Sequence, residues 1–294
     1  MGIDFPARNA YFPKIIPEKY LRSGISLNGA TMAGSSVVVP TIGGFLIAEY
    51  GSFIGILLSA IGYLVMSIST FFIPSVSIKK DDSSNFSFFT EGFSYVVKNE
   101  LFYCLILLTY CTNFFIFGYI QALPAFIDVF NGTPRELGLM FSCAGLGALS
   151  GLLTAGKVNI NKNLGAIILS SATFFSVLII LVSLVGVGIM PTYVPYTNIL
   201  LIFPLATIGH FGNGFYMLST YAVIQSKVPE NIRGRVMGIV AIHISIGVLG
   251  GLWVGGVGEI FNMRVGVGSG PIICIILIIY LYIFKKSIRN LQKI

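Results

Sequence analysis

Eight apolar runs, each about as long as a helix needs to cross a bilayer, dominate this chain near residues 24–48, 52–74, 101–126, 135–156, 164–189, 198–226, 236–258 and 267–284. No Lys or Arg lies in their interiors. Where water is absent, every backbone N–H and C=O must find a partner within the segment, and helices of this length achieve that. The sequence therefore predicts an all-α fold, a polytopic membrane bundle of eight transmembrane helices. The rest of the composition agrees: 55% of the residues are hydrophobic, 10% are charged and 34 are Gly, far from a soluble domain.

The basic residues are distributed one-sidedly. Taken before the first span, after every second span and after the last, the segments hold 16 of the 18 Lys and Arg. The opposite loops and span edges hold Arg135 and Arg264. Basic loops stay on the cytoplasmic side, which predicts a multi-pass protein of the cell membrane with both termini cytoplasmic. The formal charge of +7 does not point to nucleic acid, because the cations recur singly between apolar spans, where a lipid surface explains them. The first 20 residues lack the early apolar region of a cleavable signal peptide.

One loop is longer than the rest. Residues 75–100 begin with Lys79-Lys80-Asp81-Asp82-Ser83-Ser84-Asn85, then place Phe86, Phe89, Phe93 and Val96-Val97 at helical spacing. This predicts a hydrophilic linker followed by an amphipathic helix on the cytoplasmic membrane face. It divides the chain into residues 1–74 with two spans, the linker at 75–100, and residues 101–294 with six.

Polar residues inside the spans line up. Tyr110, Asn113, Phe117 and Gln121 fall on one face of the third span, and His210, Asn213, Met217 and Tyr221 repeat the spacing in the sixth. Asn28, Thr31 and Ser35 make a shorter polar face on the first. Glycines gather at Gly34, Gly43 and Gly44 in the first span, Gly145, Gly147, Gly151 and Gly156 in the fourth, and Gly247, Gly250, Gly251, Gly255 and Gly256 in the seventh. Such spacing lets helix backbones approach closely.

Chemistry other than transport finds no constellation. No acidic or basic residue lies deep in a span, and no zinc-protease, serine-hydrolase, phosphate-loop or acidic metal pattern occurs. The four cysteines lack paired spacing, and His210 and His243 are the only histidines. The expectation is a protein that is not an enzyme, with no catalytic residues, no metal and no cofactor.

Three segments together resemble the major facilitator superfamily, within it the branch of enterobactin exporters and macrolide efflux pumps. Phe5-Pro6-Ala7-Arg8-Asn9-Ala10 with Pro13 and Pro17-Glu18 looks like that branch's loop between helices four and five. Leu27-Asn28-Gly29-Ala30-Thr31 leading to Pro40-Thr41-Ile42-Gly43-Gly44 is similar to its helix five, including the end of the antiporter motif. Val228-Pro229-Glu230 through Arg233-Gly234-Arg235-Val236-Met237-Gly238 looks like its loop between helices ten and eleven. Val39 and Ser35 stand where the motif has Gly, so proton antiport is not carried over.

The resemblance implies that the eight spans correspond to helices five to twelve of a twelve-helix fold, with the first four helices lacking and residues 75–100 joining the two bundles. It implies alternating access to a central site and export of a small amphipathic compound such as a drug, macrolide or siderophore. Asn28, Tyr110, Asn113, Phe117, Gln121, His210, Asn213 and Tyr221 then become candidates for the substrate pathway. Arg233, Gly234 and Arg235 become a cytoplasmic gate with Gly234 at a tight turn, and Pro40, Gly43 and Gly44 a helix-packing site. The partners expected are the bilayer, a small-molecule solute and a separate N-terminal half-transporter, without which the chain is expected to be inactive. The competing expectation is a non-transporting membrane protein, an assembly partner or regulatory relic.

Overall fold

The computed structural model describes residues 17, 20–72, 87–157, 163–185 and 195–292. Its described residues form helices and turns. In order they are α1 (Leu21–Tyr50), α2 (Ser52–Phe71), α3 (Ser87–Lys98), α4 (Glu100–Cys111), α5 (Leu123–Asp128), α6 (Pro134–Lys157), α7 (Leu164–Leu184), α8 (Pro195–Lys227), α9 (Glu230–Ala241), α10 (His243–Ile260), α11 (Met263–Phe284) and the short α12 (Lys286–Arg289).

Against eight expected spans, seven stretches among the described residues are long and apolar enough to cross a membrane. They are α2, α4 continued to Ile120, α6, α7, α8, α9 with α10, and α11. The remaining helix, α1, has 30 residues and thus a length of about 45 Å, and Val38–Tyr50 is its apolar stretch among the described residues. The molecule is a polytopic membrane helical bundle.

The third and seventh spans are each interrupted. Beyond α4 the backbone widens into a π turn over Thr112–Ile116 and tightens into a 3₁₀ turn over Phe117–Ile120 before Pro124 helps start α5. Side chains take carbonyls here: Thr112 Oγ1 donates to Leu108 O at 2.8 Å, and Asn113 Nδ2 donates to Thr109 O at 2.8 Å. Such back-bonding competes with the helix ladder and loosens it. The seventh span breaks at Ile242, whose N–H reaches back only to Ile239 O at 3.1 Å.

Glycine packing holds the bundle together. A Cβ on Gly250 of α10 would collide with the Phe114 carbonyl, and one on Gly270 of α11 with that of Phe115. The irregular stretch is therefore clamped between two helix backbones. Helices α6 and α8 pair likewise, with Gly147 against the Thr207 carbonyl, Gly151 against that of Phe211 and Gly214 against that of Ala148. Without a hydrophobic force between helices in lipid, close van der Waals contact of this kind is what associates them.

Helix α1 docks on α6. A Cβ at Gly44 would stand 2.7 Å from the Pro134 carbonyl oxygen, and one at Gly138 would stand 2.5 Å from that of Pro40. Thr41 and Ser142 share a hydrogen bond across the contact, and the Arg135 guanidinium lies 4.4 Å over the Phe45 ring. Helix α2 touches α1 alone among the strong contacts and has no buried residue.

Candidate transport site

The α9–α10 break draws polar groups together. The Tyr110 hydroxyl donates to Ile239 O at 2.5 Å, and His243 Nδ1 donates to Val240 O at 2.7 Å. The Ile239 carbonyl thus accepts from Tyr110 as well as from the Ile242 N–H, and the Val240 carbonyl accepts from the His243 ring. Tyr221 of α8 donates its hydroxyl to His243 Nε2 at 3.3 Å. Asn113 lies beside Gly247, where a Cβ would stand 3.7 Å from its Oδ1. Tyr110, Asn113 and Tyr221, from two separate spans, therefore all face one joint in a third.

The other pathway candidates lie elsewhere. His210 is buried: its Nδ1 donates to Ala206 O at 2.9 Å, and its Nε2 accepts from Tyr119 at 3.4 Å. Phe117, Tyr119 and Phe175 ring it at centroid distances of 6.3, 6.0 and 5.2 Å. His210 and Phe117 thus form an aromatic cluster inside the bundle. Gln121 is exposed at the far end of the span, against Gly251. Asn213, half-buried on α8, has no hydrogen-bond partner among the described residues, which leaves its amide available to a solute or to water. Asn28 lies in α1, but its side chain is outside the described residues.

The expected gate is helical. Pro229 precedes α9, so Arg233, Gly234 and Arg235 occupy its first two turns, and Gly234 does not make the tight turn expected of it. Starting a helix directly after Pro suits Pro's fixed φ and the acidic Glu230 in the first turn. Arg233 donates to Val228 O at 3.4 Å and stands 4.0 Å from Glu230. Arg235 pairs with Glu91 of α3, and a Cβ on Gly92 would stand 3.0 Å from that of Arg235. At the same end Lys285 pairs with Glu100 at 3.0 Å, and this contact holds the Lys285 ammonium above its ordinary pKa. Helix α3 is thereby fastened to α9. The residues 73–86 that precede it, and the motif at residues 5–16, lie outside the described residues.

Of the expected packing residues, Pro40 and Gly44 form the α1–α6 contact, whereas a Cβ on Gly43 would meet nothing within 4 Å. His243, Thr109 and Tyr216 join the polar network without having been singled out as pathway residues. Tyr216 lies 3.1 Å from Thr109 Oγ1 and 3.4 Å from Thr112 Oγ1, beneath the π turn. The signal for Tyr216 was its place between Asn213 and Tyr221, and for His243 its being one of two histidines. Nothing in the residues around Ile242, neither Pro nor Gly, announces the break.

Comparison with known proteins gives a consistent result. The profile of the Major Facilitator Superfamily matches residues 1–252. An uncharacterized MFS-type transporter, YfiS of Bacillus subtilis (strain 168), is 23% identical over 266 residues, covering 86% of this chain and 60% of YfiS. The enterobactin exporter EntS of Salmonella typhimurium is 24% identical over 257 residues, covering 85% of this chain and 58% of EntS. EntS of Escherichia coli O9:H4 (strain HS) is 23% identical over 285 residues, covering 96% and 65%. The chain thus spans about 60% of the length of the curated relatives it matches. No solved structure matches the chain significantly. With a family match across most of its length and a bundle of membrane-crossing helices beneath it, this chain belongs to the major facilitator superfamily, whose members are transporters of small-molecule solutes and not enzymes.

Proposed function

We propose that the chain exports a small amphipathic compound across the cell membrane by alternating access. The observation that carries this reading is the similarity to enterobactin exporters over 85% of the chain. The geometry that supports it is the polar and aromatic joint of Tyr110, Asn113, Tyr221 and His243, together with the half-buried Asn213 amide two turns before Tyr221 on α8. Aromatic and amide groups suit a solute that is neither fully charged nor fully apolar. Phe117, Gln121, His210 and Asn28 complete the proposed pathway set, His210 and Phe117 as an aromatic cluster within the bundle.

The basic ends of α9 and α11 lie on the cytoplasmic side in this reading, as do both termini. The linker at 75–100 joins residues 1–74 to the six-span bundle of residues 101–294. Arg233 and Arg235 form the cytoplasmic gate, with α3 as a strap that Arg235 holds through Glu91. Alternating access needs a second bundle facing this one. Further helices, of the same polypeptide or of a separate half-transporter, close the pathway in this proposal, and these 294 residues transport only together with them.

The test is accumulation of a fluorescent drug, a macrolide and a catecholate siderophore in cells with the gene deleted, restored, or restored as Asn213→Leu. Export of at least one compound falls on deletion, returns with the unaltered gene and returns poorly with Asn213→Leu. Unchanged export of every compound, together with co-purification of another membrane protein, supports the non-transporting assembly partner instead.

A further inference from the structure

A cavity of about 610 Å³ opens between α7 and α11 at the end of the bundle opposite the Lys285–Glu100 and Arg235–Glu91 pairs. Its walls are largely aliphatic: Ile180 and Leu184 from α7, Val265 and Ile272 from α11, and Val129 just past α5. Leu184, Val265 and Ile272 are exposed on a helix surface that would face hydrocarbon, so the cavity opens toward lipid. At its rim stands Arg264, one of two basic residues on this side of the bundle.

Arg264 is held but not satisfied. Its guanidinium carbon lies 5.0 Å over the Phe130 ring, which fixes the side chain against the bundle. Its Nε is buried and has no hydrogen-bond partner, and no carboxylate pairs with it among the described residues. A buried donor left unmade costs free energy, and a guanidinium fork matches a phosphate in geometry and charge. Beside it Asn262 caps α11 by accepting from Val265 N at 2.9 Å, so the positive end of that helix adds to the same field. An aliphatic groove open to lipid, with an oriented and unpaired cation at its polar end, has the layout of a phospholipid.

We propose that this groove binds one anionic phospholipid, with the headgroup phosphate on Arg264 and an acyl chain along Ile180, Leu184 and Ile272. In the orientation proposed above the lipid comes from the outer leaflet, but the site stands whether or not the chain exports anything. A built-in reporter is available. Trp253, the single tryptophan of the chain, donates Nε1–H to Ser269 at 3.2 Å, and Ser269 lines the cavity.

The test is quenching of Trp253 fluorescence in the purified full chain, in neutral detergent micelles doped with acyl-brominated phosphatidylglycerol or phosphatidylcholine. Phosphatidylglycerol quenches at a lower mole fraction than phosphatidylcholine. Arg264→Gln shifts its half-maximal point up by about tenfold, the loss of one charged hydrogen-bond partner, and Arg135→Gln leaves it in place. Ile272→Phe, which keeps the cation and fills the groove, weakens quenching by phosphatidylglycerol as well, so the outcome does not hang on one variant folding. Equal quenching by both lipids, or no shift in either Arg264→Gln or Ile272→Phe, overturns the proposal. So does full protection by inorganic phosphate or glycerophosphate, since the anion alone would then be what binds.

Discussion

Helices α2 and α10 have similar lengths, 20 and 18 residues, and similarly apolar sequences with interspersed glycine. Their surroundings are opposite. In α10, Gly250 meets the Phe114 carbonyl and Gly251 the Gln121 side chain, while a Cβ on Gly62 in α2 would meet nothing within 4 Å. None of the α2 span is buried, against 56% of the span that begins at Glu100. Composition makes a helix fit for the membrane, and close backbone approach makes it part of a bundle. The six-span bundle has such contacts throughout. Helix α1 has them on one face, toward α6, while among the described residues the tightest glycine of α2, Gly55, meets only the Ile47 side chain of α1.

That contrast can be broken most severely at Gly250. Gly250→Leu would drive a side chain into the clamp on the π turn and cost roughly 1–3 kcal/mol, as overpacking does. The expected outcome is a lower melting temperature and aggregation on size exclusion in detergent.

Gly138→Leu, in the contact with Pro40 and Gly44, should separate α1 from α6 and leave the bundle melting near its normal temperature. A disulfide between Thr41→Cys and Ser142→Cys reads this out. It forms in the parent, whose two hydroxyls are in contact, and is lost when Gly138→Leu is added.

Tyr110→Phe removes a donor from the Ile239 carbonyl and should cost about 1 kcal/mol, with faster deuterium exchange at the α9–α10 joint. Glu91→Gln breaks a partly exposed ion pair and should cost less, about 0.2–1 kcal/mol, screened further by salt. Proteolysis of α3 should quicken, and an Arg235→Glu, Glu91→Arg exchange should restore protection. Gly62→Leu is the smallest effect, within about 0.5 kcal/mol. A Gly62→Leu variant as damaged as Gly250→Leu would mean that α2 packs in the membrane against a partner.

The span positions were legible because hydrocarbon and charge alternate over lengths set by the bilayer. The amphipathic repeat from Phe86 to Val97 overlaps the helix Ser87–Lys98. What could not be read was where regular geometry fails. A helical wheel puts Tyr110, Asn113, Phe117 and Gln121 on one face, but the π and 3₁₀ turns at Thr112–Ile120 lie inside that set. Tyr110 and Asn113 turn toward α10, while Phe117 joins the His210 cluster. Gly234 read as a turn because Gly permits one, yet with Pro229 and Glu230 before it the chain enters a helix. These outcomes depend on which carbonyl a Thr, Asn or Tyr captures, a tertiary matter that spacing does not encode.

The central claim, that the polar residues within the spans face a solute pathway, is tested most directly by whether Asn213 of α8 meets water in the membrane. In a background without the four native cysteines, Asn213→Cys should react with a membrane-impermeant thiol reagent and be protected by the exported compound. Ile276→Cys, on the lipid-facing side of α11, should stay unlabelled. Labelling of Ile276→Cys with none at Asn213→Cys would contradict the account.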